Sequence, residues 1–170
     1  DIIGEAPSMQ LVFRAIGKLS NTNATVLVQG ESGSGKTTLL KLISGLLCPN
    51  AGSVAFDTRI EGLRDIYKMS EPERRLLMRT DWGIVYQNPK DGLRMNVSAG
   101  ANVGERLMAI GNRNYANIRS DSSAWLEKVE MDLERMDHFP ETFSGGMLQR
   151  LQIARNLITK PRLVFMDEPT

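Results

Sequence analysis

Gly30-Glu31-Ser32-Gly33-Ser34-Gly35-Lys36-Thr37 fits the pattern G-x-x-x-x-G-K-[ST], and its two flanks decide how the chain folds around it. Upstream, Ala24 to Gln29 (ATVLVQ) is a short β-branched apolar run of buried-strand type. Downstream, Thr37 to Leu47 repeats apolar residues at helical spacing over a wide face. A strand, a glycine-rich turn and a helix in that order make a phosphate-binding loop. Glycines let consecutive backbone N–H groups close around a β-phosphate, and the helix that follows aims its positive dipole end at the anion. Lys36 reaches the β/γ oxygens and Thr37 offers its hydroxyl to Mg2+. The expected nucleotide contacts are therefore Gly30, Glu31, Ser32, Gly33, Ser34, Gly35, Lys36, Thr37 and Thr38.

Outward from the loop, helical and extended patterns alternate. Pro7-Ser8 opens a stripe of Met9, Val12, Phe13, Ile16 and Leu19 that predicts a helix over 7–20. Pro49, Asn50 and Gly52 make a turn before a short strand at Ser53 to Phe56. Ser70, Pro72 and Glu73 read as the N-cap, early-helix proline and capping-box acid of a helix through Arg79. Trp82 to Tyr86 (WGIVY) predicts a strand, Asn102 to Ile110 and Ser122 to Glu130 two helices, and Gly145 to Ile158 a helix with Leu151, Ala154, Leu157 and Ile158 inward. Arg162 to Met166 (RLVFM) predicts a continuous apolar strand. The alternation implies one α/β domain of P-loop NTPase type with a largely parallel core sheet.

Composition removes other classes. The 170 residues are 41% apolar and 24% charged, with 21 Lys+Arg against 20 Asp+Glu, which excludes disordered, collagenous and disulfide-framework chains. A net charge of +1 gives no global support for nucleic-acid binding. No apolar run approaches the ~20 residues that a bilayer requires. Arg74, Arg75 and Arg79, interleaved with Glu71, Glu73 and Asp81, read as a solvated helix face. Cys48 follows Leu42, Ile43, Leu46 and Leu47 and is expected to be a buried small hydrophobe. The chain neither starts with Met nor extends past Thr170, just beyond a pair of functional carboxylates, so a fragment is expected.

Those carboxylates close Leu163-Val-Phe-Met-Asp167-Glu168. A strand delivers Asp167 to the carboxyl edge of the sheet, where it can hold Mg2+, and Glu168 can accept a proton from an attacking water. Acids often end strands, so the signal gains weight only beside the phosphate loop. Phe143-Ser144-Gly145-Gly146-Met147-Leu148-Gln149-Arg150 sets Ser-Gly-Gly at a helix N-terminus, a second backbone site suited to an anion.

With Ser144-Gly145-Gly146 placed 21 residues before Asp167, the sequence resembles the ATP-binding subunits of ABC transporters and their relatives. Ser144-Gly145-Gly146 with Gln149-Arg150 is similar to that family's signature, Met166 to Thr170 to its Walker B segment, and Gln87 after WGIVY to its Q-loop glutamine. Tyr86 to Arg94, Val97 to Gly100 and Gly104 to Ala109 most resemble the ABC-type ATPase associated with bacterial carbon-phosphorus lyase, a resemblance running from about Gly30 to Thr170. Residues 1–29, continuing into the loop to Lys36, instead resemble the AAA+ domain start of bacterial enhancer-binding transcription activators, so a chimera joined inside the loop is expected. Against a full activator, Thr37 replaces an acidic residue, and no polymerase-contacting Gly-Ala-Phe-Thr-Gly-Ala loop is present.

The family resemblance implies ATP and Mg2+ as cofactors, with Thr37, Gln87 and Asp167 on the metal and Gln87 and Glu168 in catalysis. It implies a helical subdomain over about 87–145, a sheet truncated after the Walker B strand, and a head-to-tail dimer in which Ser144 to Gly146 close on the partner copy's γ-phosphate. It further implies a larger complex for phosphonate breakdown or transport, cytoplasmic or peripheral to the inner membrane through partner subunits, with no nucleic acid and no direct insertion. By motif the chain is an ATP hydrolase, impaired in so short a chain because the family's switch histidine lies beyond Walker B, whereas the sole His138 precedes the signature. Phe13 is the only aromatic residue before Gly30 and sits on an apolar stripe, so weak discrimination among ATP, GTP and triphosphate is expected.

Replacing Lys36 by Ala should weaken MgATP binding about tenfold to a hundredfold, the loss that follows from about 1.5 to 3 kcal/mol for a hydrogen bond to a charged group. Isothermal titration measures it, and unchanged affinity would remove the loop from the binding site.

Overall fold

The computed structural model describes residues 31, 33–58 and 61–167. Within these, the helices are α1 (Lys36–Ile43), α2 (Glu71–Thr80), α3 (Ala99–Ala109), α4 (Tyr115–Lys128) and α5 (Gly145–Leu157). The strands are β1 (Ala55–Thr58), β2 (Gly62–Asp65), β3 (Trp82–Val85) and β4 (Leu163–Met166), and short 3-10 turns cover Pro89–Gly92, Leu133–Asp137 and Pro140–Thr142. β1 and β2 form an antiparallel hairpin, Thr58 opposite Gly62. β3 and β4 run parallel, with Trp82 opposite Leu163 and Val85 opposite Met166. That pair is the parallel part of the sheet among the described residues; the strand expected at Ala24 to Gln29 and the helix expected over 7–20 lie outside them.

Caps account for where the helices begin and end. Glu73 accepts hydrogen bonds from the backbone N–H (2.7 Å) and hydroxyl (2.6 Å) of Ser70, tying off the first turn of α2. The same carboxylate accepts from Arg64 of β2 at 2.8 Å, so one side chain fastens helix to hairpin. Ser98 accepts from the Ala101 N–H, and Asn114 from the Asn117 N–H. These two caps start α3 at Ala99 and α4 at Tyr115, earlier than apolar periodicity alone predicts, because an N-cap lets polar residues fill the opening turns.

α1 stops at Ile43 instead of reaching Leu47. Gly45 takes φ 71, its N–H donates to Leu42 O and that of Leu46 to Lys41 O, the double bond of a Schellman ending. The chain therefore turns away before Cys48, which is exposed, not buried as expected, as are Leu46 and Leu47. β2 is the one described strand that periodicity missed: four residues after a turn, with Gly62 at φ 69, are too few to show alternation. Asp81 also departs from the solvated face, since it is buried at the C-terminus of α2, where it accepts from the Thr80 hydroxyl at 2.8 Å and pairs with Arg162.

Two apolar clusters hold the fold. Ile66, Met69, Leu77, Trp82 and Phe165 form one, with the Trp82 ring edge-to-face against Phe56 (5.2 Å) and Phe165 (5.4 Å). Of β4, Phe165 is buried in it, while Leu163 and Met166 are partly exposed, so the strand is less enclosed than its composition predicts. The second cluster joins α3, α4 and α5 through Val103, Leu107, Leu126, Leu148, Leu151 and Ala154. Gly104 lets α3 and α4 meet, since a Cβ there would stand 2.6 Å from the Ile118 side chain. Two arginines bridge the clusters and helices. Arg106 of α3 donates to Trp82 O at 2.6 Å, and its burial lowers its pKa to about 10. Arg155 of α5 pairs with Glu105 of α3 at 2.7 Å.

The bonds from Ser70 and Arg64 hold the Glu73 carboxyl at a pKa of about 2, below its ordinary 4.5. A lowered carboxylate stabilises the fold above its unfolded pKa, and the contribution is lost as pH falls through 4.5 towards 2. Glu73→Gln should therefore lower the urea midpoint at pH 7, with the gap to the parent chain closing between pH 4.5 and 2.

Candidate functional site

The site forms where α1 and the carboxyl end of β4 meet. Gly33 (φ 82) and Gly35 (φ 91) hold left-handed backbone, and among the described residues beyond their chain neighbours no atom lies within 4 Å of where either Cβ would stand. A side chain at these positions would strain the backbone and fill the space that an anion needs. The Glu31 carbonyl accepts from the Ser34 N–H (3.2 Å) and from Lys36 Nζ (2.9 Å), so both groups converge on one carbonyl at the start of α1. An ammonium has three donors, so Lys36 can keep that bond and still meet an incoming oxygen. α1 starts at Gly35 with no side-chain cap and no acid in its first turn, which leaves its N-terminal dipole to a ligand. Thr38 is half-buried in the first turn of α1. Gly30 and Ser32 lie outside the described residues.

Asp167 reaches the loop through the parallel pair. Its N–H donates to Val85 O at 3.0 Å, extending the ladder one residue past Met166. There Thr37 Oγ1 donates to Asp167 Oδ1 at 3.1 Å, joining residues 130 positions apart. The hydroxyl and carboxylate are hard oxygen donors of the type Mg2+ takes when it binds one or two protein groups and completes its shell with phosphate and water. The residues fit that ion.

The other expected residues divide between this edge and the helical cluster. Gln87 leaves β3 two residues after Val85, exposed and on the edge where Asp167 leaves β4. Ser144, Gly145 and Gly146 are exposed at the start of α5; Ser144 Oγ accepts from the Met147 N–H, and among the described residues beyond the local backbone nothing lies within 4 Å of a Cβ at either glycine. Glu168 and Phe13 lie outside the described residues. His138 caps a 3-10 turn and is exposed. Sequence reasoning missed the amides behind the site. Asn102, fully buried, accepts from Arg94 N and donates to Arg94 O and Val97 O, all at 2.8 Å, pinning the loop downstream of Gln87. Asn156 of α5 accepts from the Ile84 N–H of β3 at 2.9 Å. Gln149, Gln152 and Asn156, at i, i+3 and i+7, were the available signal.

The ABC transporter family model matches residues 18–170. The putative phosphonates utilization ATP-binding protein PhnK of Escherichia coli (strain K12) is 59% identical over 143 residues, 84% of this chain and 55% of that protein. The uncharacterized ABC transporter ATP-binding protein MJ1508 of Methanocaldococcus jannaschii is 32% identical over 169 residues, 99% of this chain and 71% of that protein. Among solved structures, a dimeric post-hydrolysis state of the ATP-binding cassette MJ0796 bound to ADP and Pi superposes with a TM-score of 0.74 at 30% identity, covering 83% of this chain and 59% of that one. The chain spans little more than half the length of the phosphonates protein and of the solved cassette. The expected junction with a AAA+ activator finds no support, because the family match begins at residue 18 and the MJ1508 alignment runs through the whole region.

Asp167→Asn should leave metal-free ATP binding unchanged and remove most of the gain in affinity on adding Mg2+, about tenfold from the lost charge on an oxygen ligand. Paired titrations with and without the metal would show it.

Proposed function

The chain belongs to the ABC transporter family of ATP-binding proteins, and from that membership we propose that it binds MgATP at residues 30–38 and Asp167 and works as the ATPase module of a phosphonate-utilising assembly. The observation that carries the nucleotide reading is the 3.1 Å bond between Thr37 and Asp167, which brings loop hydroxyl and strand carboxylate to one point. Mg2+ held there, when bound, neutralises charge developing on the transferred phosphoryl group. The protein's part is positioning and charge. Gly33 to Thr37 orient N–H groups and the dipole of α1 on the β-phosphate, while Lys36 places its ammonium on the β/γ oxygens. Gln87 monitors the metal and the water from the exit of β3. Glu168 polarises the attacking water and takes up its proton.

The exposed N-terminus of α5 supports a head-to-tail pair in which Ser144-Gly145-Gly146 of one copy meet the γ-phosphate held by the other. A dimeric cassette with ADP and Pi among the solved relatives is consistent with that arrangement. The 59% identity to a phosphonates utilization protein supports carbon-phosphorus lyase or an associated transporter as the machinery served. Placement in the cytoplasm or at the inner membrane through partner subunits belongs to this same reading; among the described residues no helix is long and apolar enough to cross a membrane.

Against the low basal release expected of so short a chain, Glu168→Gln should leave the MgATP titration unchanged and lower the remaining phosphate release at least about a hundredfold, the scale on which removal of a general base acts. Release unaffected by Glu168→Gln but abolished by Lys36→Ala would place the base elsewhere.

A further inference from the structure

α5 carries an unusual inner face. Gln149, Gln152 and Asn156 lie at i, i+3 and i+7 and are 7%, 0% and 5% exposed, on the stripe where a packed helix ordinarily places aliphatic residues. Buried amides cost stability unless they are bonded. Asn156 is satisfied at both ends: Oδ1 accepts from the Ile84 N–H and Nδ2 donates to Gln152 O, each at 2.9 Å, so its orientation is set. Gly83 allows this approach, since a Cβ there would lie 3.3 Å from that of Asn156. Gln152 lies against Gly92, where a Cβ would stand 2.4 Å from Nε2 and 3.0 Å from the Tyr86 ring. Gln87 thus leaves β3 between Ile84 upstream, bonded to Asn156, and Gly92 downstream, packed against Gln152, two points in contact with one helix. The other end of that helix is the exposed Ser144-Gly145-Gly146.

We propose that Gln152 and Asn156 are positioning residues that lock the Gln87 segment to α5, so that nucleotide bound at the phosphate loop is transmitted along the helix to Ser144-Gly145-Gly146. This rests on the nucleotide reading above. A thirteen-residue helix held by side-chain bonds at its C-terminal half moves as a body, so a displacement of the Gln87 segment reorients its N-terminus. A contribution to stability alone predicts something different: loss of the amides would loosen α5 equally with and without nucleotide.

Hydrogen–deuterium exchange of the 170-residue chain with and without MgATP, run beside isothermal titration, separates the two. In the parent chain MgATP should slow exchange in α1 and in residues 148–157. In Asn156→Leu and Gln152→Met the affinity should stay within about twofold, as for sites that do not touch ligand, and the α1 response should persist while the α5 response disappears. Gly92→Ala, whose Cβ would stand 2.4 Å from Gln152 Nε2 and so displace that amide, should decouple the same way and serves if Asn156→Leu fails to fold. An α5 response of parental size in these variants overturns the proposal. So does a parent chain that binds MgATP with no change in α5, a result that leaves the nucleotide reading intact. A parent chain that binds no MgATP overturns that reading and the coupling with it.

Discussion

The parallel pairing of β3 with β4 is the constraint from which the rest of the site follows. Val85 stands opposite Met166, so the two strands leave the sheet together, Gln87 two residues beyond one end and Asp167 one residue beyond the other. Parallel strands require a long connection, and here it is filled by α3, α4, the 3-10 turns and α5. Because that connection leaves from the end of β3 and returns at the start of β4, its helices pack as a second cluster beside the strands. A one-residue slip in the ladder would turn Phe165 out of its contact with Trp82 and carry Asp167 away from Thr37. Register, aromatic packing and the loop-to-carboxylate bond therefore enforce one another.

The phosphate loop shows a different economy, in which backbone is left open. Gly33 and Gly35 hold left-handed backbone, the start of α1 has no side-chain cap, and Lys36 donates back to Glu31 O. Elsewhere the chain caps its helices: Glu73 closes α2, Ser98 closes α3, Asn114 closes α4. A bare helix start beside two left-handed glycines is the kind of backbone that suits an anion. α5 stands between these cases, since Ser144 caps it with one long bond while Gly145 and Gly146 remain uncovered.

Most of the element order was legible because each element carries a local signal. Capping residues, the apolar runs WGIVY and RLVFM and the glycine-rich turn mark their own places, as propensity and periodicity act over a few residues. The errors fell where a longer-range or finer effect governed. α1 ended early through Gly45, which exposed Cys48; β2 owed its existence to pairing with β1; and Asp81 was drawn into the core by Arg162 and the end of α2. The activator-like start was a resemblance of short strings, and it yielded to a family match that begins before the loop.

The sequence by itself determined the chemistry on offer: a loop of glycines with Lys36 and Thr37, a strand ending in Asp167, and a Ser-Gly-Gly at a helix start, each defined by residue type and spacing along the chain. Only the tertiary structure decided that Thr37 and Asp167 meet at 3.1 Å, that Glu73 ties a helix to a hairpin, and that Asn156 bonds to β3 while Gln152 packs against Gly92. Such contacts join residues up to 130 positions apart, and their geometry depends on the register of strands and the seating of helices, which no local pattern encodes.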